Sequence, residues 1–193
     1  EYRELTESII NKWEFSNGCK LSTVRAPGYM FFAAVFKTVG GSYFVVTLVQ
    51  ILLAFGTALI VKRLGIFFGN QKVGEVAALL LLLNPVNLIT ALTILTDTLF
   101  LFVFILAFYL ALTSQESKRR VILSSIFFAI AIYVRPMGVF ALPIFVAPFL
   151  IGKTAWKEKI FQLIILGLII FGAMIPWMVR NYNNTGVFGF TSF

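Results

Sequence analysis

A run without a single charge, SYFVVTLVQILLAFGTALIV at 42–61, leads straight into Lys62-Arg63, and apolar runs divided by short basic clusters continue along the chain. A helix of about 20 apolar residues matches a hydrocarbon layer of about 30 Å, where every backbone N–H and C=O must be bonded within its own segment. The chain therefore reads as all-α, a polytopic membrane helical bundle. With 60% hydrophobic and 12% charged residues it is too apolar for an ordinary soluble domain. Its 193 residues leave no room for a separate soluble catalytic domain, so any site must lie among helices and short loops.

The loops 62–72, 118–120 and 153–159 each hold three Lys or Arg, the pattern of cytoplasmic loops. Much of the net charge of +8 is accounted for in this way, and no nucleic acid partner is expected. Residues 1–41 then form an external loop. Within it Tyr2, Leu5, Ile9 and Trp13 share one face of an amphipathic helix on the membrane surface. RAPGYMFFAAVFKTVGG follows as an interfacial or re-entrant helix between Pro27-Gly28 and Gly40-Gly41. Residues 42–180 are the transmembrane core, about five to six spans at about 20 residues each. Asn84-Pro85 should kink or end the second span, and Arg135-Pro136 should be the turn between the short runs 121–134 and 137–151. GIFFG at 65–69 falls in a cytoplasmic loop, the last span covers 160–179, and 181–193 begins another external loop. A start outside the membrane, in a polar loop without a signal peptide, marks the chain as a fragment of a longer protein lacking an upstream span.

Several chemistries are excluded. There is no histidine for a Ser/His/Asp triad, and the single Cys19 allows no disulfide framework. IGKT at 151–154 copies only the end of a P-loop, with Ala147 where a glycine is needed. What remains is a set of charges at the ends of apolar runs, all on the outer face by the topology above: Arg25, Asp97, Arg135 and Arg180. Asp97 is the only aspartate in the chain and opens the run LTDTLFLFVFILAFYL. A charge at a helix centre costs about 2.5–3.5 kcal/mol, less toward the interface, so something must offset these. One reading is structural, with Asp97 paired to Arg135 and Arg180 snorkelling beside Trp177. The other is a site, because three arginines against one carboxylate leave a cationic surplus suited to a phosphate or diphosphate. A sugar-bearing polyprenyl phosphate fits, its tail in the bilayer and its head at the mouth of the spans. Asp97 would bind a sugar hydroxyl, an acceptor or a divalent cation, or share general-base work.

EYRELTESI, RAPGYMFF, LNP followed by LTDTLF, and YVRPMG with PWMVRNYNNTG occur in this order through nearly the whole chain. In these four segments it resembles the N-terminal membrane part of GT-C glycosyltransferases of the protein mannosyltransferase and aminoarabinose transferase type. The resemblance implies a GT-C-like bundle with external amphipathic and interfacial helices in the cell (inner) membrane, its active face non-cytoplasmic. It implies transfer of a hexose or pentose from a polyprenyl-phosphate donor to a lipid, glycan or protein acceptor, by direct displacement with inversion. Asp97 matches the second acidic position of that family, which helps to hold a metal or the acceptor, with Mg or Mn as the implied cation. Arg25 and Tyr29 match its donor-cavity segment, and Arg135 and Arg180 match basic positions facing the phosphate. Met30 stands where the family usually has Pro. The family's principal base would lie upstream of Glu1. Without the resemblance, a transporter or lipid flippase is the competing reading, one that calls for an internal repeat, and a non-catalytic membrane subunit is another.

Overall fold

The computed structural model describes residues 1–17, 20–21, 25–114, 117–152 and 154–191; Cys19 and Lys153 lie outside the described residues. The architecture is helical, as expected, and divides into two compact units. The first takes in the N-terminal segment and Pro27–Ile105, the second Arg25, Ala26 and the chain from Leu106 onward.

In the first unit α1 (Tyr2–Lys12) buries Leu5, Thr6 and Ile9 and packs against α2 (Gly28–Gly40). Trp13 departs from the expected face. It adopts a left-handed φ of 55°, which turns its side chain off the helical stripe and leaves it 90% exposed. A two-residue antiparallel pairing of β1 (Ser16–Asn17) with β2 (Lys20–Leu21) follows. α2 ends where Gly41 takes a φ of 68°, a conformation that costs glycine little. The Glu7 carboxylate of α1 accepts from the Lys37 ammonium of α2 and, at 2.9 Å, from the Tyr43 hydroxyl, fastening α1 to the elements that follow.

α3 (Tyr43–Phe68) starts at Ser42, whose side chain accepts from the Phe44 N–H at 3.1 Å. It runs on through Lys62-Arg63, so Gly65, expected in a loop, is a helical residue. Two contacts with α4 (Gln71–Leu83) explain this: Lys62 Nζ lies 3.2 Å from Glu75 Oε1, and Gly65 faces Gly74 closely enough that neither has room for a side chain. The expected break at Asn84-Pro85 is present. The Asn84 side chain accepts from the N–H groups of Val86 and Asn87 at 2.9 and 3.4 Å, starting α5 (Pro85–Leu92) at 55° to α4. α6 (Asp97–Leu112) then carries the chain toward the second unit.

The second unit is built from α7 (Lys118–Val134), a 3-10 turn (Pro136–Ala141), α8 (Leu142–Ile151) and α9 (Trp156–Thr185). Phe128 and Phe145 stack at 4.0 Å between α7 and α8, while Lys159 Nζ reaches Leu150 O at 2.7 Å, so α8 runs back along α7 to the start of α9. α9 is parallel to α7: Lys118 Nζ lies 5.1 Å from the Phe161 ring near the two starts, and the Tyr133 hydroxyl donates to Ala173 O near the α7 end. α9 continues past Pro176 to Gly186, which closes it at a φ of 72°, so Trp177, Arg180 and Asn181 are all helical. By length and composition α3 and α9 are able to cross a membrane, and the bent α4–α5 pair makes a third candidate span. α2, α6 and the segment 136–151 are shorter apolar helices.

Candidate active site

Asp97 is the first residue of α6 and is half-buried. A carboxylate in the first helical turn meets the positive end of the helix dipole, worth about 0.3–1 kcal/mol, which offsets part of the cost of placing it beside an apolar run. What positions it is the short segment leaving α5. Thr93 is extended (φ −110°, ψ 156°), its hydroxyl donates back to Ile89 O at 2.8 Å, and the Phe100 N–H reaches Thr96 O at 2.9 Å to start α6. Thr96 and Thr98, on either side of Asp97, are buried, and the Thr98 hydroxyl makes no hydrogen bond among the described residues. It lines an apolar cavity of about 320 Å³ under the α4–α5 bend, with Ile51, Ala54, Leu88 and Leu92.

Tyr29 also belongs to the first unit. It is fully buried, its ring lies edge-on to Tyr2 at 5.6 Å, and its hydroxyl donates to Gln50 Oε1 at 3.1 Å. Gln50 was missed in the sequence. It is fully buried within α3, and its Nε2 donates to Thr93 O at 2.9 Å and Thr90 O at 3.3 Å. The available signal was a glutamine inside an uncharged span, since a polar side chain in an apolar setting requires partners.

The three arginines belong to the second unit. Arg25 is exposed. Arg135 sits at the break after α7, extended at φ −141° as the residue before a proline should be, with its N–H bonded to Ala131 O and its carbonyl to the Gly138 N–H, both at 2.9 Å. The Arg180 guanidinium lies 4.4 Å from the Trp177 ring and donates to Asn181 Oδ1 at 3.1 Å. Asn181, buried and also overlooked in the sequence, donates to the carbonyls of Gly189 and Phe190 at 3.0 Å each. Phe190 in turn packs on Tyr133 at 5.0 Å, two residues before Arg135. Because α7 and α9 run parallel, Arg135 and Arg180 lie toward the same end of the unit. Asp97 and Tyr29 are thus carried by one unit and Arg25, Arg135 and Arg180 by the other.

No three His, Cys, Asp or Glu side chains cluster among the described residues. Asp97 would be an acidic ligand of any cation held at this place.

No curated protein and no solved structure matches the chain. The pattern of the dolichyl-phosphate-mannose-protein mannosyltransferase family does, over residues 24–178, which include Arg25, Tyr29, Asp97 and Arg135 and stop two residues short of Arg180. That stretch takes in most of both helical units, from the α2 segment to the late turns of α9, and by it the chain belongs to the dolichyl-phosphate-mannose-protein mannosyltransferase family of GT-C-type glycosyltransferases.

Proposed function

We propose that the protein transfers a sugar from a polyprenyl-phosphate donor to an acceptor hydroxyl or amine at the non-cytoplasmic face of a multi-pass cell-membrane bundle. The observation that carries this reading is the parallel packing of α7 and α9, which sets Arg135 and Arg180 toward one end of a unit that also holds Arg25. Guanidinium groups there bind the donor phosphate and stabilise the charge that collects on it as it leaves; pre-placed cations do this best where water is scarce.

In the step itself the acceptor oxygen or nitrogen forms a bond to the anomeric carbon while the bond from that carbon to the phosphate oxygen breaks. The electron pair goes to the phosphate, and configuration at the sugar inverts. Asp97 accepts a hydrogen bond from a sugar hydroxyl or from the acceptor, orients it for attack, and shares in taking up the proton that the acceptor releases. The transferred group is a hexose or pentose and the acceptor a lipid, a glycan or a protein; were a divalent cation to take part, Asp97 would hold it and the cation would supply Lewis-acid charge stabilisation.

The test is transfer by the full-length protein in proteoliposomes supplied with a labelled polyprenyl-phosphate sugar. Asp97→Asn should abolish transfer while leaving expression and melting temperature near wild type. Normal transfer by that variant would remove Asp97 from the reaction, and donor movement across the bilayer without transfer would favour a flippase.

A further inference from the structure

The Asp97 segment is held from a distance, by Gln50 of α3. α5 is only eight residues long, and beyond the Leu95 N–H that reaches Thr93 O at 2.9 Å there is no following helical turn to satisfy its last carbonyls. Within the apolar interior such groups need a donor from elsewhere. Gln50 supplies it: Nε2 has two N–H groups, and two carbonyls of the α5 terminus, Thr93 O at 2.9 Å and Thr90 O at 3.3 Å, lie within their reach. Leu95 O, at 3.5 Å, is at the limit of a bond. The amide cannot rotate away, because Oε1 is engaged by the Tyr29 hydroxyl at 3.1 Å and the whole side chain is sealed from solvent.

These bonds have a directional consequence. Thr93 leaves the helix extended and Asp97 enters the next one four residues later, so fixing the Thr90 and Thr93 carbonyls fixes where α6 begins. Tyr29 follows closely on Arg25 in the RAPGY segment. Gln50 thereby ties Tyr29 to the residues that lead into LTDTLF.

We propose that Gln50 is a positioning residue for sugar transfer: by capping α5 from the neighbouring helix while bound to Tyr29, it sets the place from which the Asp97 carboxylate works. This rests on the role given to Asp97 above.

The test uses the full-length protein in proteoliposomes, with turnover, donor KM and hydrogen–deuterium exchange measured together. Gln50→Leu keeps the bulk and loses all the bonds. It should lower turnover at saturating donor at least tenfold, leave donor KM within about twofold, and raise exchange in the 93–99 segment but not in α7 or α9. Gln50→Glu, assayed at a pH low enough to protonate it, can still accept from Tyr29 and donate to Thr93 O, and should recover a large part of the turnover; Tyr29→Phe, which frees one side of the amide, should fall between. These two variants keep the question open to measurement if Gln50→Leu does not fold. Wild-type turnover with raised local exchange would overturn the proposal, as would lost turnover with exchange raised throughout the protein, which marks general destabilisation. If wild type transfers no sugar from any polyprenyl phosphate, the functional reading fails and takes this one with it. The exchange data would then still report whether the amide tethers the segment, so the two failures read differently.

Discussion

Gly65 of α3 lies against Gly74 of α4 so closely that a Cβ at Gly65 would stand 2.5 Å from the Gly74 Cα. The obstacle is backbone on both sides, which cannot swing aside. Gly→Ala in a helix ordinarily gains roughly 0.5–1 kcal/mol, whereas forcing atoms into a packed contact costs roughly 1–3 kcal/mol. Gly65→Ala should therefore lower the melting temperature in detergent, and Gly74→Val should lower it further. A rise in either case would mean that the crossing is looser than described.

The Glu7–Lys37 pair predicts a pH effect on the docking of α1. The hydrogen bond from Lys37, with that of Tyr43 and the Lys37 charge adding to it against burial, holds the Glu7 carboxyl below its ordinary 4.5. A group depressed on folding contributes stability above its unfolded value, and that contribution is lost as pH falls below 4.5 and through the folded value. The pair is partly exposed, so the amount should be under about 1 kcal/mol. Protease sensitivity of α1 should rise as the pH is lowered through this window in wild type, and the Lys37→Met variant should show a flatter response.

Arg180 is stacked as well as charged, its guanidinium 4.4 Å from the Trp177 ring. Lysine keeps the charge but has neither the plane to lie on the ring nor the fork to grip a phosphate. On the proposed function, Arg180→Lys should raise donor KM nearly as much as Arg180→Ala, by about tenfold or more for the loss of a charge-assisted bond worth roughly 1.5–3 kcal/mol. Recovery of wild-type KM by lysine would reduce Arg180 to a point charge.

Phe128 and Phe145 carry the packing of α7 on α8, fully buried and stacked at 4.0 Å with rings 8° apart. Phe128→Ala should cost about 3–5 kcal/mol, and Phe128→Leu clearly less. Thermal unfolding of the two variants in detergent orders them, and equal losses would indicate that the cavity left by alanine collapses.

Asn181 joins Arg180 Nη1 at 3.1 Å to the carbonyls of Gly189 and Phe190. Asn181→Ala should release the segment after Gly186, seen as faster hydrogen exchange at 187–191. Asn181→Asp can still accept from Arg180 but cannot donate to the two carbonyls, so it should release that segment as well.

Sequence alone determined the helical membrane character, the breaks at Asn84-Pro85 and Arg135-Pro136, and the family, because each is written in neighbouring residues. Apolar runs demand helices that satisfy their own backbone, and proline removes an N–H wherever it stands. Tertiary structure alone decided the features that depend on distant partners. α3 continues past Lys62-Arg63 because Glu75 and Gly74 receive it, and Arg180 lies inside α9 because that helix runs past Pro176 to Gly186. Gln50, which the sequence reading passed over, becomes the cap of α5 only when residues some 40 positions further on fold back against it. A side-chain amide carries no mark in the sequence of which carbonyl it will meet; that choice belongs to the packing that brings the two within 3 Å or so, the distance at which a hydrogen bond forms.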